Sequence, residues 1–227
     1  MKRIALLTMV LVTVCSMQTA TAQSPNQALA ASIVSARQKN AVLMKQYSWN
    51  CRIEILENGQ VKDTRIDLVN YGPNGNVQYS LLNDQGSALP HGFLRRRLEE
   101  KERERTETYI KEVRTLLNEY TLPTSTSVGT FLATATIQPP DANGLLQITG
   151  GSVVKPGDTL SLWASAPGGQ ISRMKAMTFY EGDEVNVSAS FKTLANGLSY
   201  MAYATVTIPA RNLTIQVQNF DYLNQNH

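Results

Sequence analysis

Short segments of alternating polar and apolar residues, separated by tight turns, constrain the fold of this chain more than any other feature. From Tyr47 the apolar side chains recur at every second position, and Ser48, Asn50, Arg52 and Glu54 stand between them. A period of two is typical of a half-buried antiparallel strand. The first such strand is therefore predicted to run from Tyr47 to about Ile55.

Turn signals join this strand to others. Asn58-Gly59 predicts a tight hairpin, because both residues tolerate positive φ angles. Asn196-Gly197 repeats the signal near the C-terminus, and turn residues recur at short intervals from residue 144 onward. No helical pattern separates the strands there. This order favours a continuous antiparallel sheet, curved or closed, over a parallel α/β arrangement.

Three segments depart from the strand pattern. Residues 24–46 have apolar residues near helical spacing, which predicts an N-terminal helix. Residues 93–120 lack Gly and Pro and are dense in Lys, Arg and Glu, with an apolar stripe from Tyr109 to Tyr120. A short helix is predicted at 125–133. The fold class is therefore α+β: a curved, half-barrel-like antiparallel sheet, an N-terminal helix, and a long charged helix inserted after the third strand, with the insertion covering about residues 93–133.

The N-terminus predicts export. Lys2 and Arg3 precede an apolar run from Ile4 to Val14, and the small-x-small sequence Ala20-Thr21-Ala22 follows. This is the pattern of a signal peptide over residues 1–22, cleaved near Ala22-Gln23. Residues 23–227 are then expected to form a single domain in the periplasm or outside the cell. The run is too short to span a bilayer, which takes about 20 residues, so no transmembrane span is expected in the mature form.

The net charge and the cysteine content argue against two further properties, nucleic-acid binding and lipid attachment. Loss of Lys2 and Arg3 with the signal peptide lowers the net charge from +3 to +1, which argues against a nucleic-acid partner. Cys15 follows Val14 rather than a small residue, which argues against lipid attachment. Cys51 is then the remaining cysteine, and its place in an alternating strand predicts a buried, inert thiol.

The sequence lacks recognisable catalytic or cofactor-binding motifs. It has no nucleophile elbow, zinc-protease motif, Walker loop or dinucleotide fingerprint. Its two histidines, His91 and His227, are too few for a His-rich metal site. A hydrolase using two carboxylates that meet in space is the enzymatic alternative. We therefore expect a non-enzymatic protein with no metal and no cofactor.

Apolar residues on the strands are the candidates for a binding groove. If the sheet curves, its inner face could hold an apolar ligand, and the same residues could equally form a filled core. The sequence does not separate these alternatives. The groove candidates are Tyr47, Trp49, Ile53, Phe191 and Tyr203.

The charged helix offers a second candidate surface. Arg95, Arg96 and Arg97 form a basic block that suits a protein partner or an anionic group. The alternative is an ordinary solvated helix face, because nearby glutamates cancel the field within a Debye length of about 8–10 Å.

Five stretches together resemble an uncharacterised family of exported bacterial proteins. They are Tyr47-Ser48-Trp49 with Arg52, Glu54 and Gly59; Leu94 to Arg97; Tyr120 to Pro123; Val154 to Asp158; and Asn219 to Tyr222. More distantly, a helix followed by a hairpin-rich sheet is similar to the periplasmic lipoprotein-carrier fold. That resemblance implies a curved sheet around an apolar groove that binds acyl chains or another lipid-like ligand.

Two functional hypotheses follow. The first is an exported binding or carrier module for an apolar, lipid-like ligand. The second is an envelope structural or interaction protein that uses the charged helix to bind an envelope protein. They differ in where the exposed apolar surface lies: inside the sheet for a carrier, on the helix or a sheet edge for an interaction protein.

Overall fold

The architecture is an antiparallel sheet with helices packed on one face. The computed structural model describes residues 25–84, 93–121 and 124–225, with backbone alone at residues 84, 93–103, 106 and 107. The predicted signal peptide lies outside the described residues.

The helices are α1 (Pro25–Met44), α2 (Phe93–Glu119) and α3 (Ser125–Thr134). The strands are β1 (Tyr47–Glu57), β2 (Gln60–Tyr71), β3 (Val77–Asp84), β4 (Thr136–Ile137), β5 (Leu145–Gly151), β6 (Thr159–Ser165), β7 (Ile171–Tyr180), β8 (Asp183–Thr193), β9 (Ser199–Ile208) and β10 (Leu213–Asn224).

The ten strands form one open sheet in the order β3-β2-β1-β10-β9-β8-β7-β6-β5-β4, and all neighbours are antiparallel. The α+β class and the antiparallel sheet predicted from the sequence are confirmed. One connection departs from the meander: α2 and α3 carry the chain from β3 at one edge to β4 at the other. The first and last strands, β1 and β10, pair with each other and so join β1–β3 to β4–β10 in one sheet.

Turn chemistry explains the hairpins. Asn58 and Gly59 have φ angles of 52° and 74°, so they form the two-residue turn between β1 and β2 that their sequence predicts. Asn196 and Gly197 lie in a longer loop between β8 and β9, where the Leu194 N–H donates to the Leu198 carbonyl. The first signal therefore predicts the turn length correctly, and the second predicts only its position.

The main core lies between the helices and one face of the sheet, which we call the inner face. Its most deeply buried aliphatic side chains come from both layers: Ile33, Val113, Val128, Leu132, Ile148, Leu160, Val185 and Ile208. Glycines allow the close approach. A Cβ on Gly150 would meet the Phe131 ring at 2.7 Å, and one on Gly169 would meet the backbone at Ile33 at 2.5 Å. This part of the inner face is filled by side chains.

A buried polar network holds the end of α2 on the sheet. The Tyr120 hydroxyl lies 2.6 Å from Asp158 Oδ2 and 2.6 Å from Thr178 Oγ1. The Asp158 carboxylate also accepts backbone N–H groups from the loop at 153–155. Each polar group therefore has a partner, as buried groups require.

The start of α3 follows from its sequence. The Thr124 hydroxyl accepts the backbone N–H of Ser127, and the Ser127 hydroxyl reaches back to the Thr124 N–H, which completes a capping box. The helix therefore begins directly after Thr124, which is its N-cap.

Candidate functional site

The inner face of the sheet has two regions, which differ in the elements that pack on them. Beneath the helices lies the main core. Farther along, the side chains of Trp49, Cys51 and Val69 form a second buried cluster. Among the described apolar side chains of the helices, Met44 at the end of α1 packs against this cluster, and Arg114 of α2 is close enough for its charge to act on the Cys51 thiol. We call the inner face of β1, β2 and β3, together with Tyr200 and residues 220–224, the open end.

Five aromatic rings dominate the open end. Trp49 stacks on Tyr222 with ring centroids 5.5 Å apart and an interplanar angle of 8°. Tyr200 lies 4.2 Å from Tyr222, Tyr71 lies 6.2 Å from Trp49, and Tyr47 lies 6.5 Å from Tyr222. Aromatic pairs at these distances stabilise each other beyond the area they bury. We call these five residues the aromatic cluster.

Polar groups at the rim orient two of these rings. The Trp49 indole N–H donates to Asn219 Oδ1 at 3.2 Å, and the Asn196 side-chain amide donates to the Tyr47 hydroxyl at 2.8 Å. An amphipathic ring buried with its polar tip bonded keeps one orientation. The apolar faces of both rings are therefore held against the sheet.

A β-bulge brings Tyr222 into the aromatic cluster. The register between β1 and β10 shifts from Ser48 opposite Leu223 to Asn50 opposite Phe220, so two residues of β10 face Trp49. Asp221 takes up the extra length with a φ of 54°. A bulge of this kind turns a side chain onto the other face of a strand. Tyr222 thereby lies against Trp49 instead of pointing to the outer face.

A row of exposed apolar side chains continues the surface to the sheet edge. Val77, Tyr79 and Leu81 stand opposite Tyr71, Val69 and Asp67 in the register of β2 and β3, so they share the inner face. Their exposed fractions are 39%, 52% and 54%. We call these three residues the edge row. Together with the aromatic cluster they form a continuous apolar surface across five strands.

Burial shapes the chemistry of this region. Burial raises the pKa of the Cys51 thiol to about 11, with the Asp67 carboxylate adding to the shift and the cations Arg114 and Arg65 opposing it. Burial is also the main reason that the pKa values of Tyr71 and Tyr222 lie above their ordinary values. These groups are therefore neutral at physiological pH. The Asp67 carboxylate lies on the same face, where it is buried and accepts hydrogen bonds from Arg65 Nε at 2.8 Å. Apart from this ion pair the lining consists of neutral rings and aliphatic chains, which favour an apolar ligand.

The structure brings together some of the groove candidates predicted from the sequence. Tyr47 and Trp49 belong to the aromatic cluster, and Ile53 packs at the junction between the two cores. Phe191 is half-buried on β8 and packs in neither core cluster. Tyr203 is 49% exposed on the opposite, outer face, where Gln218 donates to its hydroxyl at 3.0 Å.

Tyr203 stands apart because of strand alternation. Its neighbours Ala202 and Ala204 are buried, so the side chain between them points away from the inner face. It lines two shallow recesses on the outer face, with about 320 and 440 Å³ of empty space that opens to solvent. Arg95, Arg96 and Arg97 lie on α2, and their side chains are outside the described residues.

Six residues of the apolar surface were not among the groove candidates from the sequence: Tyr71, Val77, Tyr79, Leu81, Tyr200 and Tyr222. Alternation alone does not place Tyr71 and Tyr79, because pairing across the Asn58-Gly59 turn would set Trp49 opposite Leu68. A register shift between Ile55 and Leu56 sets it opposite Val69 instead, which brings Tyr71 and Tyr79 to the inner face. The position of Tyr222 depends in the same way on the bulge at Asp221.

The described residues contain no group of three or more His, Cys, Asp or Glu side chains that could hold a metal ion. None of the helices in the described ranges is both long and apolar enough to cross a membrane.

Two solved structures are similar to this one in outline. A DUF1329 family protein from Desulfovibrio piger matches with 8% identity over 89% of this chain and 94% of that chain, at a TM-score of 0.43. A LolA superfamily protein from Nitrosomonas europaea matches with 9% identity over 86% of this chain and 94% of that chain, at a TM-score of 0.32. No protein-family model and no curated protein matches the sequence. At these TM-scores neither likeness bears on what this chain binds.

Proposed function

We propose that this chain is an exported binding or carrier module for an apolar, lipid-like ligand, which lies across the open end of the inner face. Residues 1–22 act as the signal peptide, and the chain from Gln23 works in the periplasm. The observation that carries the proposal is the continuity of the apolar surface. It runs from the buried Trp49 and Val69 to the exposed Tyr79 and Leu81.

Exposed apolar side chains scattered singly are ordinary, but a contiguous row beside a buried aromatic cluster is not. The edge row consists of three large apolar side chains on one face of one strand, each more than a third exposed. Burying apolar surface of this kind gains roughly 25 cal/mol for each Å² removed from water. A ligand that covers the row therefore gains binding free energy from surface that the chain itself leaves in water.

The expected ligand is long rather than compact. Association costs at least about 4 kcal/mol in lost translational and rotational freedom, and each buried methylene gains about 0.8 kcal/mol. A ligand lying on an open surface is covered on one side, so it gains less than the full value per methylene. An acyl chain that crosses several strands meets this requirement better than a small apolar compound. Binding by this surface needs no charged group and no catalytic residue.

The two tryptophans give a matched test. Trp49 lies in the aromatic cluster, whereas Trp163 lies on the outer face, where the Arg173 guanidinium is 4.9 Å from its ring. A Trp163→Phe variant leaves Trp49 as the reporter, and a Trp49→Phe variant leaves Trp163. On titration with a brominated fatty acid, we expect saturable quenching of Trp49 and little quenching of Trp163.

Two tyrosines with similar exposure locate the site. Tyr79→Ser removes a ring from the edge row, and Tyr203→Ser removes an equally exposed ring from the outer face. Loss of one half-covered ring corresponds to about 1–2 kcal/mol, so Tyr79→Ser should weaken binding roughly tenfold. Tyr203→Ser should leave binding unchanged. The reverse ranking would move the ligand to the outer face. Absence of quenching, together with no lipid in an organic extract of the natively purified protein, would reject the carrier function.

A further inference from the structure

The two edges of the sheet are protected to different degrees. The edge strand β4 has only two residues, and Pro139-Pro140 follows it closely. A short edge strand ended by proline gives an added strand little to pair with. At the other edge, β3 has eight residues, and no strand of the described chain pairs with its outer side. From Val77 to Asn83 it has no proline and no charged residue.

The free backbone groups of β3 can be assigned from its hydrogen bonds to β2. The Gly72 N–H donates to the Asn76 carbonyl at 2.9 Å, so these opposed residues form a hydrogen-bonded pair. Hydrogen-bonded and non-hydrogen-bonded pairs alternate along an antiparallel ladder. Val77, Tyr79 and Leu81, opposite Tyr71, Val69 and Asp67, are therefore the residues whose N–H and C=O groups point away from the sheet.

The free edge is complementary to itself. When two copies of β3 lie antiparallel with Tyr79 opposite Tyr79, Val77 of each copy faces Leu81 of the other. The three outward-pointing residues then form three hydrogen-bonded pairs, and all apolar side chains share one face. On the other face Gln78 meets Ser80. In this register no charged residue lies opposite a like charge. The bulge at residue 82 ends the regular pairing.

We propose that β3 is a self-association edge, and that it pairs with β3 of a second copy of this chain in the register centred on Tyr79. The two sheets then join side by side, and the two open ends form one continuous apolar surface, with Tyr79 of each copy at its centre. A two-fold axis generates this contact, so it is closed and does not extend to a filament. Because one strand pair buries less than the roughly 1,200–2,000 Å² of a stable interface, the association is expected to be weak and dependent on protein concentration.

Disulfide trapping tests both the contact and its register. Directly opposed residues of a hydrogen-bonded antiparallel pair have Cα atoms about 5.5 Å apart, which suits a disulfide. Tyr79→Cys should therefore cross-link to itself in oxidised glutathione. Val77→Cys and Leu81→Cys should each fail to do so alone, because their own copies lie about 13 Å away along the strands. Mixed together, these two variants should cross-link to each other.

The chain offers matched controls. Leu223→Cys places a thiol at a 62% exposed position away from β3, and its random cross-linking sets the background rate. Cys51 is buried, so the unmodified protein should give no dimer. We expect Tyr79→Cys to cross-link at least tenfold faster than Leu223→Cys. Equal rates, or a mixture of Val77→Cys and Leu81→Cys that stays monomeric, would overturn the proposal. The assay needs no ligand, so it stands or falls apart from the carrier function.

Discussion

The two regions of the inner face bury apolar side chains by different means. Beneath the helices, aliphatic residues such as Leu160 and Val185 are fully buried because a second layer packs onto them. At the open end, rings pack on one another, as Trp49 and Tyr222 do, and Met44 is the apolar helical side chain described against their cluster. Such aromatic pairs stabilise each other beyond the area they bury. Where the rings end, at the edge row, apolar surface is left in water. The first region therefore maintains the fold, whereas the second leaves apolar surface that the fold itself does not bury.

A pair of leucines should show the largest contrast between the regions. Leu160 is fully buried in the main core, and Leu81 is 54% exposed in the edge row. Leu160→Ala should lower the free energy of unfolding by about 2–5 kcal/mol, because it removes buried methylenes and leaves a cavity. Leu81→Ala should change it by less than about 0.5 kcal/mol. Urea denaturation of both variants measures the difference. Similar losses would mean that the open end is part of the structural core.

The polar network under α2 predicts a smaller effect with a defined pH dependence. Tyr120→Phe removes the hydroxyl that contacts Asp158 and Thr178, and should cost about 1–3 kcal/mol because a buried carboxylate loses a donor. Tyr79→Phe, in which an exposed hydroxyl is lost, is the matched control and should be nearly neutral.

The sign of the pH effect follows from the pKa of Asp158. Burial alone would raise this pKa, but hydrogen bonds from Tyr120 and from the backbone at 153–155 outweigh burial and hold it below its usual value near 3.8. A lowered pKa stabilises the folded state above the ordinary pKa, and this contribution is lost as the pH falls through the folded value. Asp158→Asn should therefore flatten the decline of stability below about pH 4. An unchanged acid profile would contradict this assignment.

The covered region could be predicted from sequence better than the open end. The period-two pattern, the Asn58-Gly59 turn and the apolar stripe of the charged helix each report a local property of the chain. The structure follows them: Tyr109, Val113 and Tyr120 of that stripe are buried. Antiparallel meanders keep sequence neighbours adjacent in space, so local patterns predict most of the sheet.

The open end depends on contacts that are distant in sequence. Trp49 meets Tyr222 only because β1 pairs with β10, and because a bulge inserts an extra residue at Asp221. Alternation alone does not reveal a bulge, since one added residue reverses the face of every side chain beyond it. Tyr203 shows the opposite error: it is aromatic and lies on a strand, but alternation between two buried alanines turns it outward. Its residue type led to the prediction that Tyr203 lines the groove, but its position in the strand turns the side chain to the outer face.

Substitutions at the bulge should give the smallest change in stability. They also test directly whether the strand register positions Tyr222 at the open end. Asp221 has a φ of 54°, which a β-branched residue adopts only with strain, so Asp221→Val should lower the free energy of unfolding by about 1–2 kcal/mol. Asp221→Gly relieves that strain but loses the hydrogen bond from Asn50, so its stability should stay within about 0.5 kcal/mol of the parent. If strain moves Tyr222 off Trp49, the near-ultraviolet circular dichroism of the stacked pair should weaken in the valine variant alone. Equal stability and equal spectra in the two variants would show that the position of Tyr222 does not depend on the backbone at Asp221.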